Sequence, residues 1–315
     1  IDSKDLNSVI SSLKSDYLTQ GPKIKEFESA LKKKFKAKYC SLVSSGTAAL
    51  HLTGIALGWG KNDIIISSPI TFLAGPNSAV YSNAIPDFVD IDERTYNIST
   101  VDLEKKINKI KSSQKIIKAV IATDYAGQPC DWKNLRKLAD KYKFYLINDN
   151  CHSIGAKYFG NIGYASKYAD VVIHSYHAIK NITTGEGGAI FSNNKQFINK
   201  VNSLKTHGLE KIKFATNQNS SWPYNMTDLG FNYRITDFQC ALGISQLKKL
   251  STFLKRRNEI AKIYNKNLIN IENLILPHVE PNIFHAYHLF PIKINFKKIK
   301  ISKEKILKIF KKHNI

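Results

Sequence analysis

The residues able to do chemistry gather in a few short stretches. Lys180 stands in Ser175-Tyr176-His177-Ala178-Ile179-Lys180, after an apolar run and ahead of Thr183-Thr184-Gly185-Glu186-Gly187-Gly188. A lysine set over the end of a strand is not a typical solvated lysine. Its amine can add to a carbonyl as a Schiff base and later carry a proton to or from a carbon. Asp149 ends a second apolar run, Phe144-Tyr145-Leu146-Ile147, where an unpaired carboxylate is costly to bury. It either caps the next segment or faces a protonated ring nitrogen, which turns that ring into an electron sink. His152 follows three residues on, as a satisfied structural histidine or a contact to a ring hydroxyl. Gly46-Thr47 opens a helix whose free amides suit a phosphate, and Ser175 is placed to add a hydroxyl. No glycine loop of the dinucleotide-binding or Walker type occurs. Phe72, after Pro69-Ile70-Thr71, either stacks on a planar ring or packs in a core.

The elements that must position these residues alternate in type. Apolar spacing predicts helices over 23–35, 48–57 and 132–142. Strands are expected at 64–66, 116–122, 144–147, 170–173 and 189–191, with a further strand region over Ala79-Val80-Tyr81 and 85–89. Such alternation argues for an α/β fold with a mostly parallel sheet covered on both faces. Ligands then gather at the carboxyl ends of the strands, where the polar residues above cluster. A long Lys- and Arg-rich helix is expected from Ile244 to Tyr264, then a strand at 290–294 and a helix at 303–313. We therefore expect a large domain over 1–242. Residues 243–315 are then expected to hold a linker helix and the start of a smaller C-terminal α/β domain, incomplete within them.

Composition narrows the class. Apolar residues make up 43% and charged residues 23% of 315, an ordinary globular balance. No run of 18 apolar residues and no leader pattern is present, so no membrane partner is expected. Cys40, Cys130, Cys151 and Cys240 lack paired metal-ligand spacing, which points to free thiols in the cytoplasm and to no metal site. The net charge of +22 raises nucleic acid as a partner. However, most of the excess is lysine scattered over candidate helices, with no zinc-finger spacing or Arg-rich arm, so a solvated lysine face is the reading taken and no nucleic acid is expected.

The ordered set of motifs resembles the sugar aminotransferases of the DegT/DnrJ/EryC1/StrS family across nearly the whole chain. Its pieces are Leu18-Thr19-Gln20-Gly21-Pro22, Ser45 to Leu50, Pro69 to Phe72, Asp149 to His152, Ser175 to Gly188, Leu229 to Arg234 and His285 to Phe290. The resemblance implies the aspartate aminotransferase-like fold (fold type I) and pyridoxal 5'-phosphate, with a pyridoxamine 5'-phosphate intermediate. It implies that Lys180 holds the cofactor as a Schiff base, that Asp149 faces the pyridine nitrogen and that His152 lies by the ring hydroxyl. Gly46, Thr47 and Ser175 would hold the phosphate and Phe72 would stack on the ring. Asn232 would reach the phosphate region of a partner subunit, making a homodimer with shared sites. Phe231 stands where many members have tyrosine. A branch of the family has histidine at the lysine position and carries out dehydration; Lys180 argues against it. The stretch His177 to Gly188 looks like the branch acting on C4 keto groups of nucleotide-linked hexoses. This implies L-glutamate as donor and, as acceptor, the UDP-2-acetamido-2,6-dideoxy-β-L-arabino-hex-4-ulose of pseudaminic acid biosynthesis. The alternatives are the 4-keto sugars of bacillosamine or 4-amino-arabinose pathways and dTDP-4-keto hexoses. Against full-length members a short N-terminal piece and the end of the small domain are expected to be missing.

Overall fold

Alternation within single strands sets the architecture. In Asp63–Ser67, Ile64 and Ile66 point to one side of a sheet and Ile65 to the other, and all three are buried. A strand apolar on both faces must be covered on both. A computed structural model describes residues 1–111, 115–211 and 224–314 and shows that cover.

Ten helices are described: α1 (Ser3–Leu13), α2 (Pro22–Phe35), α3 (Gly46–Ala56), α4 (Ala74–Tyr81), α5 (Thr100–Lys111), α6 (Trp132–Tyr142), α7 (Tyr164–Tyr168), α8 (Lys195–Leu204), α9 (Asp237–Leu268) and α10 (Lys303–Lys312). The strands of the main sheet are β1 (Tyr39–Val43), β2 (Asp63–Ser67), β3 (Ile85–Phe88), β4 (Ile116–Thr123), β5 (Tyr145–Asp149), β7 (Val171–Ser175) and β8 (Gly188–Ser192). Short strands β6 (Lys157–Tyr158) and β12 (Ile283–Phe284) pair with each other, as do β9 (Leu209–Lys211) with β10 (Tyr224–Met226) and β11 (Leu274–Ile275) with β13 (Lys293–Ile294).

The main sheet runs β1-β8-β7-β5-β4-β2-β3. Strands β3, β2, β4, β5 and β7 are parallel neighbours, and β8 is antiparallel to both β7 and β1. Val43 and Ser175 both pair with Gly188, so β1 and β7 end at the same edge, where β8 begins. One face carries Val43, Ile65, Ile121, Ile147 and Ile173 against residues of α3, α4 and α8. The other carries Leu42, Ile64, Val120, Leu146 and Val172 against α2, α5, α6 and α9.

The expected strand over Ala79-Val80-Tyr81 is a correction: these residues end α4. Three apolar residues in a row do not separate a strand from a short helix, and here Ala79 is buried while Val80 and Tyr81 stay half exposed, a helical rather than an all-buried pattern. Helix α9 is longer than its expected span, because Thr236 and Gln239 form a capping box that starts it before Ile244. It runs unbroken across the expected domain boundary. Within 290–294 only Lys293 and Ile294 are in a strand.

Candidate active site

Four segments end at the shared edge of the sheet. The turn Ser44 to Gly46 follows β1, Asp124 and Tyr125 follow β4, Asp149 ends β5, and Ser175 ends β7. They surround a cavity of about 860 Å³, which Thr47, Phe72, His152, Lys180 and His288 also line. Of the residues singled out from the sequence, Gly46, Thr47, Phe72, Asp149, His152, Ser175 and Lys180 all border this cavity. Asn232 does not. It bridges to Thr206 in a stretch where Phe231 and Tyr233 bond to Leu204 and Lys205.

Each side chain has a local reason for its place. Ser45 caps α3 by accepting from the Ala48 amide at 3.0 Å, and the first amides of the helix, those of Gly46 and Thr47, have no acceptor among the described residues. Gly46 must be small: a Cβ there would lie 2.9 Å from Ser175 Cβ and 3.4 Å from Cys151 Sγ. Asp149 is 5% exposed, yet the protein claims it lightly, since Oδ1 accepts from the Cys151 amide at 3.2 Å. Phe72 is 66% exposed, so core packing is not its role.

Electrostatics keep two imidazoles of the site, His152 and His288, neutral. Burial, reinforced by the Lys180 cation and by His288, pushes His152 down to about 2. Its Nδ1 accepts from the Ala126 amide at 3.4 Å, which assigns the proton to Nε2. Burial, then Lys180 and Arg257, push His288 to about 3. The two rings lie 4.5 Å apart.

Several contributors were not picked out from the sequence. Tyr125, Thr71 and Cys151 line the cavity, and Thr71 shares a 2.9 Å hydrogen bond with Thr123 at the end of β4. Asp124 is fully buried behind it. Its Oδ1 accepts from the Cys130 amide and Trp132 Nε1, and its Oδ2 from Asn148, Asn150 and Tyr164. Its own amide donates to the Asp149 carbonyl. Burial pushes this carboxyl up to about 6 against the pull of those neutral donors. Its signal was present: like Asp149, it follows an apolar strand directly.

A family model for the DegT/DnrJ/EryC1/StrS aminotransferases matches residues 1–315. The chain belongs to this family. It is 39% identical over 317 residues to an uncharacterized protein of Methanocaldococcus jannaschii, covering all of this chain and 80% of that one. It is 36% identical over 292 residues to the UDP-4-amino-4,6-dideoxy-N-acetyl-beta-L-altrosamine transaminase of Campylobacter jejuni, covering 93% of this chain and 74% of the relative. Among solved structures, the PseC aminotransferase of Helicobacter pylori, involved in the biosynthesis of pseudoaminic acid, superposes with a TM-score of 0.87 at 29% identity, covering 100% of this chain and 81% of that one.

Membership makes the chain a pyridoxal-phosphate-dependent nucleotide-sugar aminotransferase of fold type I. The cavity fits that cofactor. A helix N-terminus with unclaimed amides and a nearby serine hydroxyl suits a phosphate. A buried carboxylate and an amine stand at the same cavity, the pair a pyridinium and an aldehyde require. Among the described residues no group of His, Cys, Asp and Glu is arranged to hold a metal ion, and no helix is long and apolar enough to cross a membrane.

Proposed function

We propose that the chain moves the amino group of L-glutamate to C4 of UDP-2-acetamido-2,6-dideoxy-β-L-arabino-hex-4-ulose, the transamination of pseudaminic acid biosynthesis, in the cytoplasm. The observation that carries the aminotransferase chemistry is the convergence of Lys180, Asp149 and the α3 N-terminus on one cavity. Support for the sugar comes from the likeness to the altrosamine transaminase.

Pyridoxal phosphate, when bound, supplies the electron sink that makes a C–H bond beside its nitrogen acidic. The roles of the side chains follow from their places. Gly46 and Thr47 amides and the Ser175 hydroxyl hold the phosphate. Asp149, buried and bonded among the described residues by Cys151 alone, would keep a proton on the pyridine nitrogen. Neutral His152 offers an Nε2 proton to the ring oxygen without adding charge. Phe72 covers the ring face. Lys180 Nζ would hold the cofactor covalently at rest; once the amine of glutamate has displaced it and left it a free base, it would take the proton from Cα in the first half-reaction and deliver one to C4 of the sugar in the second. The side from which it delivers sets the configuration of the new amine.

The functional unit in this reading is a homodimer, in which Asn232 serves the partner's phosphate site. Phe72 at the cavity, its chain neighbour Leu73, and Leu229 close to Asn232 in the chain, are 66%, 68% and 81% exposed, apolar surface that a second subunit would cover. The large domain is 1–242, and α9 leads from it into a smaller one. Light scattering of the cofactor-loaded protein at micromolar concentration tests the dimer; a monomer alone counts against it. The substrate is tested by mixing the pyridoxamine form with each 4-keto sugar and following the return of the visible band of the Lys180-bound cofactor. Reaction with the β-L-arabino sugar alone supports the proposal. No reaction with it beside rapid reaction with a D-configured 4-keto sugar moves the chain to a bacillosamine-type substrate.

A further inference from the structure

The segment Ala286 to Leu289 arrives at the cavity from far along the chain and is held there by an unusual number of bonds to its backbone. The Ala286 amide donates to the Gly127 carbonyl at 2.9 Å and the Leu289 amide to the Ala126 carbonyl at 3.1 Å. Asn181, the residue after Lys180, donates to the Ala286 carbonyl at 3.0 Å. From α9, Asn258 donates to the His285 carbonyl at 3.0 Å and Arg257 to the Tyr287 carbonyl at 2.8 Å. Tyr287 is held at φ +44, and its amide donates to His285 Nδ1 at 2.8 Å. A non-glycine residue in that region costs stability and persists only where its surroundings over-determine it.

All this places one side chain. The His288 ring borders the cavity beside Lys180, and its ring contact is to His152 at 4.5 Å. No hydrogen bond to the His288 ring is found among the described residues, and its buried Nδ1 has no partner. Nothing in the protein therefore fixes its tautomer, so its other nitrogen can donate or accept as a ligand requires. Held neutral beside Lys180 and Arg257, it brings no charge of its own to the acid groups of glutamate. A hydroxyl or carbonyl oxygen of a sugar is the group such an imidazole matches.

We propose that His288 contacts the hexose of the nucleotide-linked substrate, and that Arg257 is the positioning residue that holds it over the cavity. The proposal rests on the nucleotide-sugar aminotransferase reading. It is tested by calorimetry on the cofactor-loaded protein with two non-reacting probes, UDP-N-acetylglucosamine and glutarate. In H288F the dissociation constant for the UDP-sugar rises about tenfold, while that for glutarate stays within about threefold. H288Q, which keeps a hydrogen-bonding group, recovers part of the loss. R257M raises the KM for the keto sugar by about tenfold with kcat within about threefold, and its melting temperature shows whether the fold has survived. Equal weakening of both probes in H288F and H288Q would mean a structural role, and unchanged binding of both would mean none; either overturns the proposal. Wild-type protein that binds neither probe, or carries no cofactor on Lys180, instead overturns the reading beneath it.

Discussion

Two regions of this molecule set a buried carboxylate and a lysine together, one pair in direct contact and the other at a common cavity, and they treat the carboxylate in opposite ways. Where α1 lies on α9, Asp5 is fully buried and both of its oxygens are engaged: Ser245 donates to Oδ1, and Gln246, Lys249 and the Asp2 amide to Oδ2. Burial works against the charged form there, but Lys249 and the hydroxyl, backbone and amide donors prevail and bring Asp5 down to about 2. At the sheet edge, Asp149 is nearly as buried, but among the described residues its one donor is the Cys151 amide. A closed cluster has finished its chemistry in folding. An open one has kept its electrostatic free energy for a ligand, and the contrast marks the active site better than burial or charge does.

The largest effects should come from the open region. K180A is expected to abolish the visible band of the bound cofactor and to lower turnover by about 10⁴-fold, since it removes both the covalent link and the proton carrier. D149N keeps shape and loses charge, and a fall of about 10²-fold or more in kcat is expected with the cofactor still bound. Both variants should melt near the wild-type temperature when cofactor-free, because neither side chain completes a protein network. A large loss of apoprotein stability in D149N would show that Asp149 belongs with the closed kind.

In the closed region the order reverses. K249M leaves the buried Asp5 carboxylate to its neutral donors, and losing a charged donor from a part-buried pair costs about 2 kcal/mol. Release of α1 from α9 would cap the loss, so hydrogen exchange should find the opening confined to α1. The linkage has a definite sign. Asp5 titrates lower folded than unfolded, so its contribution is full above its ordinary carboxylate range and is lost as pH falls through that range toward about 2. In K249M that acid sensitivity should largely vanish, while turnover at neutral pH changes little.

Much of this was legible beforehand because the signals were local. Trp132 to Tyr142 repeats its apolar residues at helical spacing between the cap Asp131 and Lys143, and α6 has those bounds. Lys180, Asp149 and Ser175 were found because each follows an apolar strand, and a parallel sheet carries all such ends to one edge. Ala79 to Tyr81 failed for want of length. Sequence alone does not place His288, because its segment is held by a hydrogen bond to the Ala126 carbonyl and by others from Asn181 and Arg257, groups distant in the chain whose meeting no periodicity announces. The reversal of β8 was hidden for a related reason, since a buried apolar run reads the same in either direction.

Asp124 is intermediate between the two kinds, being fully bonded but by neutral groups alone. D124N sharpens the comparison. The asparagine oxygen can replace Oδ1 toward Cys130 and Trp132, but its amide then faces the amides of Asn148 and Asn150, and a loss of about 2 kcal/mol is expected. Because the folded carboxyl sits near 6, above its ordinary value of 3.8, the native state binds the extra proton, and wild-type stability from this group falls as pH rises from about 4 to about 6. D124N should lack that slope. An unchanged slope in chemical denaturation at pH 4 and pH 6 would show that Asp124 is ionised like Asp5.

The smallest effect separates two serines at the cavity. Ser45 and Ser175 both border it, yet Ser45 is committed to the Ala48 amide, whereas Ser175 Oγ has, among the described residues, only a long contact of 3.4 Å from the His177 amide. S45A therefore loses a helix cap, about 1 kcal/mol or about 2 °C in melting temperature, with the cofactor's affinity nearly intact. S175A should do the reverse: it leaves the melting temperature of the apoprotein in place and weakens cofactor binding by about tenfold, one hydrogen bond to a charged group. Titrating pyridoxal phosphate into the two apoproteins by absorbance, alongside their melting curves, checks both halves. If S45A loses as much affinity as S175A, its hydroxyl turns from Ala48 toward the phosphate, and the capped serine belongs to the open site after all.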